Sequence, residues 1–358
     1  MSETFRIIDT GVREGRSNIA FDAALIELRQ QGVVPDTIRF LRFPPTALIG
    51  RHQDLSREIN LDYCRDDGVG TVRRITGGGA IYLDEGQLGW ELVFHRSALG
   101  IAALPDLARE ICNAAAAGLS ELGVDAKFRP RNDIEVGGRK ISGTGGFFDG
   151  DILIYQGTVL VDMNPAQMVR ALNIPEAKVT KHDLDSAEKR VVTLKELLGD
   201  ELPDIETIKA ALIKGFTEGL GIKAEPGEIT EAEEALAQRI FEEEIGTDDF
   251  VAEIDNPGGS DQLLEGTHTG AGGTIATFVK LEGPTHGLVQ RALITGDFFV
   301  TPPRVVFDLE AALAGTRLDD VESTVNNFFD ETDIDMLSVG AGDFVASIND
   351  ALSHREGT

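Results

Sequence analysis

The chain has 358 residues, of which 42% are hydrophobic and 26% charged, enough for one large and one small globular domain. It has no long run of uncharged apolar residues and no basic N-terminal region before an apolar stretch, so the sequence predicts neither a membrane span nor a secretory signal. Cys64 and Cys112 lack metal-ligand spacing, which favours a reduced, cytoplasmic protein without structural zinc.

The charge is large and unevenly distributed. A formal net charge of −28 argues against a general nucleic-acid binder, because such proteins present a basic field. Residues 1–150 carry 18 basic and 21 acidic side chains, whereas the rest of the chain carries 15 and 40. The nearly neutral part would admit anionic ligands, but solvated acidic surface explains the difference better. We expect a monomer that binds neither nucleic acid nor membrane.

The first 220 residues mix strand and helix patterns without regular βαβ alternation. A helix is expected to open at Ser17-Asn18 and to end at Gly32. Further helices are predicted at 104–122, 165–173 and 204–219, and strands at 5–9, 37–50, 72–75, 80–94 and 130–162. This order favours an α+β fold with a mixed or antiparallel sheet flanked by helices, rather than a doubly wound parallel sheet.

The remainder divides into an acidic stretch and a second unit. Residues 222–257 are acidic with one helical pattern, and we interpret them as a connector rather than as part of a core. From about residue 270 a hairpin is predicted, followed by helices at 303–314, 318–329 and 341–353. We therefore expect a large domain at 1–257 and a smaller α+β domain at 258–358.

The first segment with chemical character is RRITGGGAIYLD, residues 73–84. Three consecutive glycines after a strand permit unusual backbone angles and very close approach of a ligand. Their N–H groups can form an anion nest, and the side chains of Arg73 and Arg74 could bind a phosphate or carboxylate. A glycine-rich turn with surface arginines is the alternative. The segment is neither a P-loop nor a dinucleotide-binding fingerprint.

The second segment is RNDIEVGGRKISG, residues 131–143. A predicted hairpin presents Lys140 on a strand, with Ser142 two residues further on and therefore on the same face. A fixed lysine can neutralise a phosphate and an attacking carboxylate. Asn132 and Asp133 could read an adenine edge or hold a metal ion. An ordinary charged hairpin is the commoner explanation of a single lysine on a strand.

The third segment is YQGTVLVD, residues 155–162, a strand pattern that contains Gly157. Glycine inside a strand suggests that backbone or ligand approaches closely there. In this order, the three segments resemble those of the lipoate-protein ligase A family, within the biotin/lipoate ligase superfamily. The resemblance covers roughly residues 5–220, and the tail from residue 272 resembles the small accessory domain of the family. It implies a catalytic domain with the fold of class II synthetases.

The resemblance implies a two-step reaction. Lipoate, or octanoate, would react with ATP and Mg²⁺ to give the acyl-adenylate, and a lysine of a lipoyl-domain or H-like carrier protein would then take the acyl group. Lys140 would be the catalytic residue, and Asp133 a magnesium ligand. The residues implied in binding ATP and lipoyl-AMP are Arg74, Thr76, Gly77, Gly78, Gly79, Ala80, Ile81, Tyr82, Asn132, Asp133, Lys140, Ser142, Gly143, Thr144, Gly157 and Thr158.

The sequence departs from the family pattern at several positions. Leu83 and Gln156 stand where histidines are usual, and Gly145-Gly146 stand where Ser-Ala is common. The stretch 178–191, which borders the acyl and acceptor sites in the family, matches only in part. Acyl preference and choice of acceptor are therefore left open.

Three alternatives remain. An octanoyl or lipoyl transferase of the same superfamily would carry the acyl group on a cysteine without ATP, but no cysteine follows residue 112, where its nucleophile would fall. A biotin ligase would need an arginine-glycine nucleotide motif that is missing. A non-catalytic lipoyl-binding homologue is the third alternative, and the intact Arg74, Gly77–Gly79 and Lys140 argue against it.

Overall fold

A computed structural model of the chain describes residues 4–101, 103–130, 132–173, 190–259, 263–270, 272–283, 287–332, 334–336 and 339–355. Arg131 and most of the stretch 178–191 lie outside the described residues. Within these ranges no helix is long and apolar enough to cross a membrane.

The described helices are numbered in chain order. They are α1 Gly15–Gln30, α2 Leu55–Glu58, α3 Leu61–Asp67, α4 Leu104–Ser120, α5 Pro165–Ala171, α6 Leu194–Leu198, α7 Ile205–Leu220, α8 Glu231–Ile240, α9 Asp248–Val251, α10 Val305–Leu313, α11 Val321–Glu331 and α12 Ala341–Ser353.

The described strands are numbered in the same way. They are β1 Thr4–Val12, β2 Thr37–Arg42, β3 Thr46–Ile49, β4 Gly70–Arg73, β5 Ile81–Leu83, β6 Gln87–His95, β7 Ala126–Arg129, β8 Asp133–Val136, β9 Arg139–Asp149, β10 Ile152–Leu160, β11 Lys223–Pro226, β12 Leu264–Gly270, β13 Gly273–Glu282, β14 Leu288–Gly296, β15 Val300–Thr301 and β16 Asp335–Met336.

The large unit is built on an eight-stranded mixed sheet with the order β11-β1-β2-β6-β10-β9-β8-β7. The first three strands are parallel, and every later pair is antiparallel. β6 is almost entirely buried because it runs through the middle of the sheet with helices on both faces. The predicted α+β class with a mixed sheet is confirmed.

Helices cover the two faces of the main sheet unequally. α4 and α7 pack on one face over a large apolar core, which includes Trp90, Tyr155 and Phe216. α1 and α8 pack on the opposite face, where the core is smaller. Residues of α1 on this second face line a cavity.

Two predictions about local structure are wrong. α1 begins at Gly15, before Ser17, because the Glu14 side chain caps the helix by accepting a hydrogen bond from the Ser17 amide. The acidic stretch after residue 222 is also more than a connector. Its strand β11 pairs with β1, and Leu236 and Ala237 of α8 are buried against the α1 face. The many acidic residues of this stretch had led to the prediction that it lies outside the core.

The C-terminal unit, residues 263–355 as described, has its own sheet with the order β12-β13-β14. α10 packs on β14, and α12 packs on β12 and β13, around a separate apolar cluster. The hairpin and the three helices predicted from sequence are confirmed. The boundary at residue 258 stays a proposal.

The C-terminal unit docks on the large unit through an aromatic contact around His52. The buried His52 ring stacks on Phe298 at 5.4 Å and lies 5.6 Å from the Phe307 ring. The Gly296 amide donates to the His52 carbonyl at 3.0 Å. Burial, with Arg51 and Arg73 nearby, lowers the pKa of His52 to about 3. The docking surface therefore requires a neutral histidine.

This contact predicts a pH dependence of stability. Because the pKa of His52 is depressed in the folded state, only the unfolded chain binds this proton between about pH 6.5 and pH 3. Acidification below pH 6.5 should therefore favour wild-type unfolding by about 1.4 kcal/mol per pH unit relative to His52→Leu. Urea unfolding of both proteins at several pH values measures this difference. A difference that stays constant with pH would contradict the assignment.

Candidate functional site

A cavity of about 370 Å³ lies on the α1 face of the main sheet. The strands form its floor, the loop 76–80 and β5 form one wall, and Ile19 and Asp22 of α1 form another. Residues paired across neighbouring strands point to the same face of a sheet, so the strand register defines rows of side chains on this floor. Two such rows determine its chemistry.

The first row is a buried network of charges and amide groups. Arg39, Glu91 and Gln156 are cross-strand neighbours on β2, β6 and β10. The Arg39 guanidinium contacts Asp22 at 2.5 Å and Glu91 at 2.9 Å, and all three side chains are fully buried. Gln156 donates from Nε2 to both carboxylates at 2.7 Å.

This network carries two carboxylates for one cation. Burial and the neighbouring Glu91 raise the pKa of Asp22 well above its usual value. The network therefore favours the uptake of a proton, which would leave it neutral. Gln156 lines the cavity, and its amide protons are already used by the two carboxylates.

The second row forms a trough because glycines stand at two of its positions. Leu41, Gly89 and Thr158 are cross-strand neighbours, and Gly143 of β9 lies two residues from Gly145, on the same face. A Cβ at Gly89 would lie 2.9 Å from Leu41 Cδ2, and one at Gly143 would lie 2.7 Å from Lys140 Nζ. The Lys140 ammonium group thus lies over Gly143, inside the trough.

A β-bulge places Lys140 in this cavity. Ile134 pairs with Ser142 but Glu135 pairs with Lys140, so Ile141 is an extra residue on β9. Without it, regular alternation would turn Lys140 toward the α4 face, where Ile141 and Ser142 are fully buried. The prediction that Lys140 and Ser142 share a face is therefore wrong. Ser142 does not line the cavity.

Asp133 holds the lysine rather than a metal ion. Its Oδ1 lies 2.7 Å from Lys140 Nζ, and its Oδ2 accepts from Arg129. Both carboxylate oxygens are therefore engaged by cations. No cluster of three metal-ligating side chains occurs in the described part of the chain. With both oxygens engaged, these residues do not fit a protein-held Mg²⁺, and the predicted magnesium role of Asp133 stays a prediction.

Arg74 supports the glycine loop from behind and brings a positive charge to the cavity. Its guanidinium donates to the carbonyl oxygens of Gly77 at 3.1 Å and Gly79 at 3.0 Å, and to Thr76 Oγ1 at 3.3 Å. It is buried, and desolvation lowers its pKa to about 10. Among the described residues no carboxylate pairs with it. The wall of the cavity therefore favours an anionic group.

Arg73 does not take part in this site, contrary to the prediction. Its side chain points away from the cavity and donates to backbone carbonyl oxygens, including those of Gln53 at 2.6 Å and of Val251 and Ile254 at 2.9 Å. Alternation along β4 places neighbouring arginines on opposite faces. Arg73 therefore fastens the end of α9 and the residues after it to β4.

The glycine loop is approached by the C-terminal unit. The Gly78 amide donates to the Phe298 carbonyl at 3.0 Å, so this donor of the predicted anion nest is used inside the protein. The Phe299 ring covers Gly78 and Gly145, and a Cβ at either glycine would overlap the ring. Phe299 lines the cavity. The expectation of close backbone approach holds at Gly78, but the approaching group belongs to this chain.

Gly157 is also needed for close approach. It pairs with Trp90 across β10 and β6, and a Cβ at this position would overlap the indole ring. Both residues line the cavity. Gly157 therefore lets Trp90 pack beneath the floor of the trough.

Most of the residues predicted for the site line this one cavity. Gly78, Asp133 and Ser142 do not, for the reasons given above. The binding roles of the others stay predictions. Those that line the cavity are Arg74, Thr76, Gly77, Gly79, Ala80, Ile81, Tyr82, Asn132, Lys140, Gly143, Thr144, Gly157 and Thr158.

Sequence reasoning missed several residues that line the cavity, and three of them matter most to its charge and shape. Asp22 stands in an otherwise apolar stretch of α1, and a charge at a core-facing position was the signal that could have marked it. Trp90 is the single tryptophan of the chain and lies in a fully buried strand. Phe299 comes from a segment more than 150 residues from Lys140 in the sequence, and no local pattern connects the two.

Neither cysteine of the chain lines the cavity. Cys112 of α4 is fully buried, and its Sγ contacts Thr144 Oγ1 at 3.3 Å and Tyr155 Oη at 3.4 Å. Cys64 lies in a separate apolar cluster. Burial raises the pKa of Cys112 and raises that of Cys64 to about 11. Both thiols are therefore poor nucleophiles.

Comparison with known proteins assigns the chain to a family. A family model described as the lipoyl protein ligase A/B catalytic domain matches residues 14–217. The octanoyltransferase LipM of Symbiobacterium thermophilum is 31% identical over 273 residues, which cover 70% of this chain and 98% of the relative. The chain belongs to the lipoyl protein ligase A/B catalytic-domain family, as the resemblance had implied.

Two solved structures share the fold. A bi-partite lipoate protein ligase of Thermoplasma acidophilum, studied with its E2 lipoyl domain, is 26% identical with a TM-score of 0.64, and the match covers 70% of this chain and 97% of that one. A lipoate-protein ligase A bound with ATP is 26% identical with a TM-score of 0.62, covering 70% and 99%. The predicted catalytic fold is confirmed. The relatives thus include both an octanoyltransferase and ligases.

Proposed function

We propose that the protein is an ATP-dependent lipoate-protein ligase. It would activate lipoate or octanoate as the acyl-adenylate and transfer the acyl group to a lysine of a carrier protein. One observation carries this choice within the family: the cavity contains cationic and hydrogen-bonding groups but no thiol. An acyl-adenylate is itself an activated donor, so the reaction requires no nucleophile from the enzyme.

The cationic groups support a role in the first step. The acid carboxylate attacks the α-phosphorus of ATP, a bond forms from its oxygen to phosphorus, and pyrophosphate leaves. Negative charge concentrates at the point of attack, where Lys140, held by Asp133, would stabilise it. Arg74 would add charge through the glycine loop. In the second step a carrier lysine attacks the acyl carbon, and AMP leaves with the bonding electrons.

An ATP-independent octanoyltransferase is the second candidate. The identity to the LipM octanoyltransferase, higher than that to the ligase structures above, favours it. Such an enzyme would attach the acyl group to a cysteine as a thioester. Cys112 contacts Thr144, which lines the cavity, so it would be the nucleophile in that case. The buried thiol, with its raised pKa, argues against this role.

The partners follow from the same proposal. The acceptor would be a lipoyl domain or an H-like carrier protein, in keeping with the E2 lipoyl domain studied with the Thermoplasma ligase. ATP and a medium-chain acid would be the small-molecule substrates, and Mg²⁺ would arrive with the nucleotide phosphates, because the described side chains form no metal site. Two free, buried cysteines are in keeping with a cytoplasmic location.

Removal of both thiols separates the two candidates. The variant Cys64→Ser/Cys112→Ala should keep its acid-dependent pyrophosphate release within about threefold of wild type, because no thioester forms in the ligase reaction. Stopped reactions should contain acyl-AMP. The assay uses ATP, Mg²⁺ and lipoate or octanoate without carrier protein.

The same variant is assayed for acyl transfer from an octanoyl-carrier protein to a lipoyl domain without ATP. The wild type should not catalyse this transfer. If it does, and the cysteine variant does not, the protein is a transferase. If neither reaction occurs but octanoate binds, the non-catalytic alternative holds.

A further inference from the structure

We propose that Phe299 of the C-terminal unit is a specificity-determining residue that limits the length of the acid accepted by the cavity. The inference rests on the proposed function in taking a medium-chain acid as the ligand. It goes beyond it in assigning one wall of the acyl site to the C-terminal unit.

The Phe299 ring occupies a well-defined position in the cavity wall. Phe299 lies between the glycine loop and the sheet, over Gly78 on one side and Gly145 on the other. A Cβ at either position would overlap the ring, so the ring fits only because both residues lack a side chain. Gly145 is one of the positions at which the sequence departs from its family. The departure and the aromatic residue are therefore complementary features of this chain.

The groups around the Phe299 ring indicate which part of a ligand the ring contacts. The Gly78 amide already donates to Phe298 O, and the amide protons of the neighbouring Gln156 are used by Asp22 and Glu91. These two donors beside the ring are therefore already engaged inside the protein. The ring itself adds apolar surface and no charge. This region suits an alkyl chain, whereas the cationic groups Arg74 and Lys140 suit its carboxylate.

The docking of the C-terminal unit holds the ring in place. The preceding Phe298 stacks on His52, and the Gly296 amide is tied to the His52 carbonyl. The backbone that carries Phe299 is therefore held by contacts that do not involve its ring. Its ring can be shortened without removing the aromatic contact that holds the two units together.

The experiment compares Phe299→Ala with Phe299→Leu and with the control Phe307→Ala. Phe307 contributes to the same docking contact through His52 but does not line the cavity. Isothermal titration calorimetry of the full chain with hexanoate, octanoate, decanoate and dodecanoate gives the dissociation constants. Circular dichroism confirms that each variant is folded.

In Phe299→Ala we expect the affinity for dodecanoate relative to octanoate to rise at least about tenfold, because a methylene group in a fitted pocket already changes selectivity by about this factor. The ratio of the two affinities in Phe299→Leu should lie between those of Phe299→Ala and wild type. If Phe299→Ala does not fold, Phe299→Leu is compared with wild type instead. Phe307→Ala should keep the wild-type order of affinities. An unchanged order in both Phe299 variants would overturn the inference, as would the same shift in Phe307→Ala.

Binding without ATP separates this inference from the proposed function. If the wild type releases no pyrophosphate but the calorimetric preference shifts only in the Phe299 variants, the ligase proposal fails and the inference stands. If the variants change only the KM for ATP in the pyrophosphate assay, Phe299 contacts the nucleotide and the inference is wrong. Absence of binding of every acid by the folded wild type would also overturn it.

Discussion

Replacement of Lys140 by alanine is expected to lower acid-dependent pyrophosphate release by about 10²- to 10³-fold, the cost of losing one preorganised group that stabilises charge in a transition state. The ammonium group lies in the trough over Gly143, and the bulge at Ile141 and the Asp133 carboxylate hold it there. The loss should appear mainly in kcat, because charge develops as the carboxylate attacks phosphorus.

Lys127→Ala is the matched control, since this lysine lies on β7, two strands away in the same sheet, is exposed and forms an ion pair with Asp125. It should leave kcat within about twofold of wild type. Asp133→Asn should lower kcat less than Lys140→Ala does, because the lysine remains but is held less firmly. If folded Lys140→Ala releases pyrophosphate at the wild-type rate, the assignment of this residue is wrong.

Replacement of Arg39 by methionine is expected to lower the free energy of unfolding by about 3–5 kcal/mol, because it leaves two buried carboxylates without their cation. Asp22 and Glu91 both contact this guanidinium, and all three side chains are fully buried. The loss should shrink as the pH falls, since the raised pKa of Asp22 allows it to become neutral in the folded state. Urea unfolding at pH 7 and pH 5 measures both effects.

Arg29→Met provides the comparison for this variant. Arg29 also forms an ion pair, with Asp36 at 2.6 Å, but its side chain remains in contact with solvent. Its removal should cost about 1 kcal/mol or less. Equal losses in the two variants would show that the Arg39 network is no more than an ordinary ion pair, and that the cavity floor does not depend on it.

The family and the location of the site could be predicted from sequence because their signals are local. Gly77–Gly79, Lys140 and Gly157 each belong to a short sequence motif. The order of the three motifs along the chain is itself specific to the family. The structure brings all three segments to one cavity. Lys140 was identified correctly as a cavity residue even though the face of its strand was derived by the wrong rule.

That error has a definite physical cause. Regular alternation predicts that residues two apart on a strand share a face, but the extra residue Ile141 reverses the alternation between Lys140 and Ser142. The residues RKISG contain no sequence signal that predicts a β-bulge. The face of Lys140 depends on its pairing with β8, which a single sequence does not contain.

The long-range partners of the buried charges could not be predicted from the sequence for a similar reason. Arg39 is 17 residues from Asp22 and 52 from Glu91, and each stands alone within an apolar segment. A charge among buried strand residues predicts that a partner exists, but the sheet order decides which one. The contribution of Phe299 could be found only after the docking of the C-terminal unit was known.

The central claim is that this protein activates a free medium-chain acid with ATP. It is tested most directly by the intact mass of a lipoyl-domain acceptor after incubation with the wild-type protein in two mixtures, one with octanoate, ATP and Mg²⁺, and one with an octanoyl-carrier protein and no nucleotide. An ATP-dependent ligase should place one octanoyl group on the acceptor in the first mixture and none in the second. Modification in the second mixture alone would contradict it.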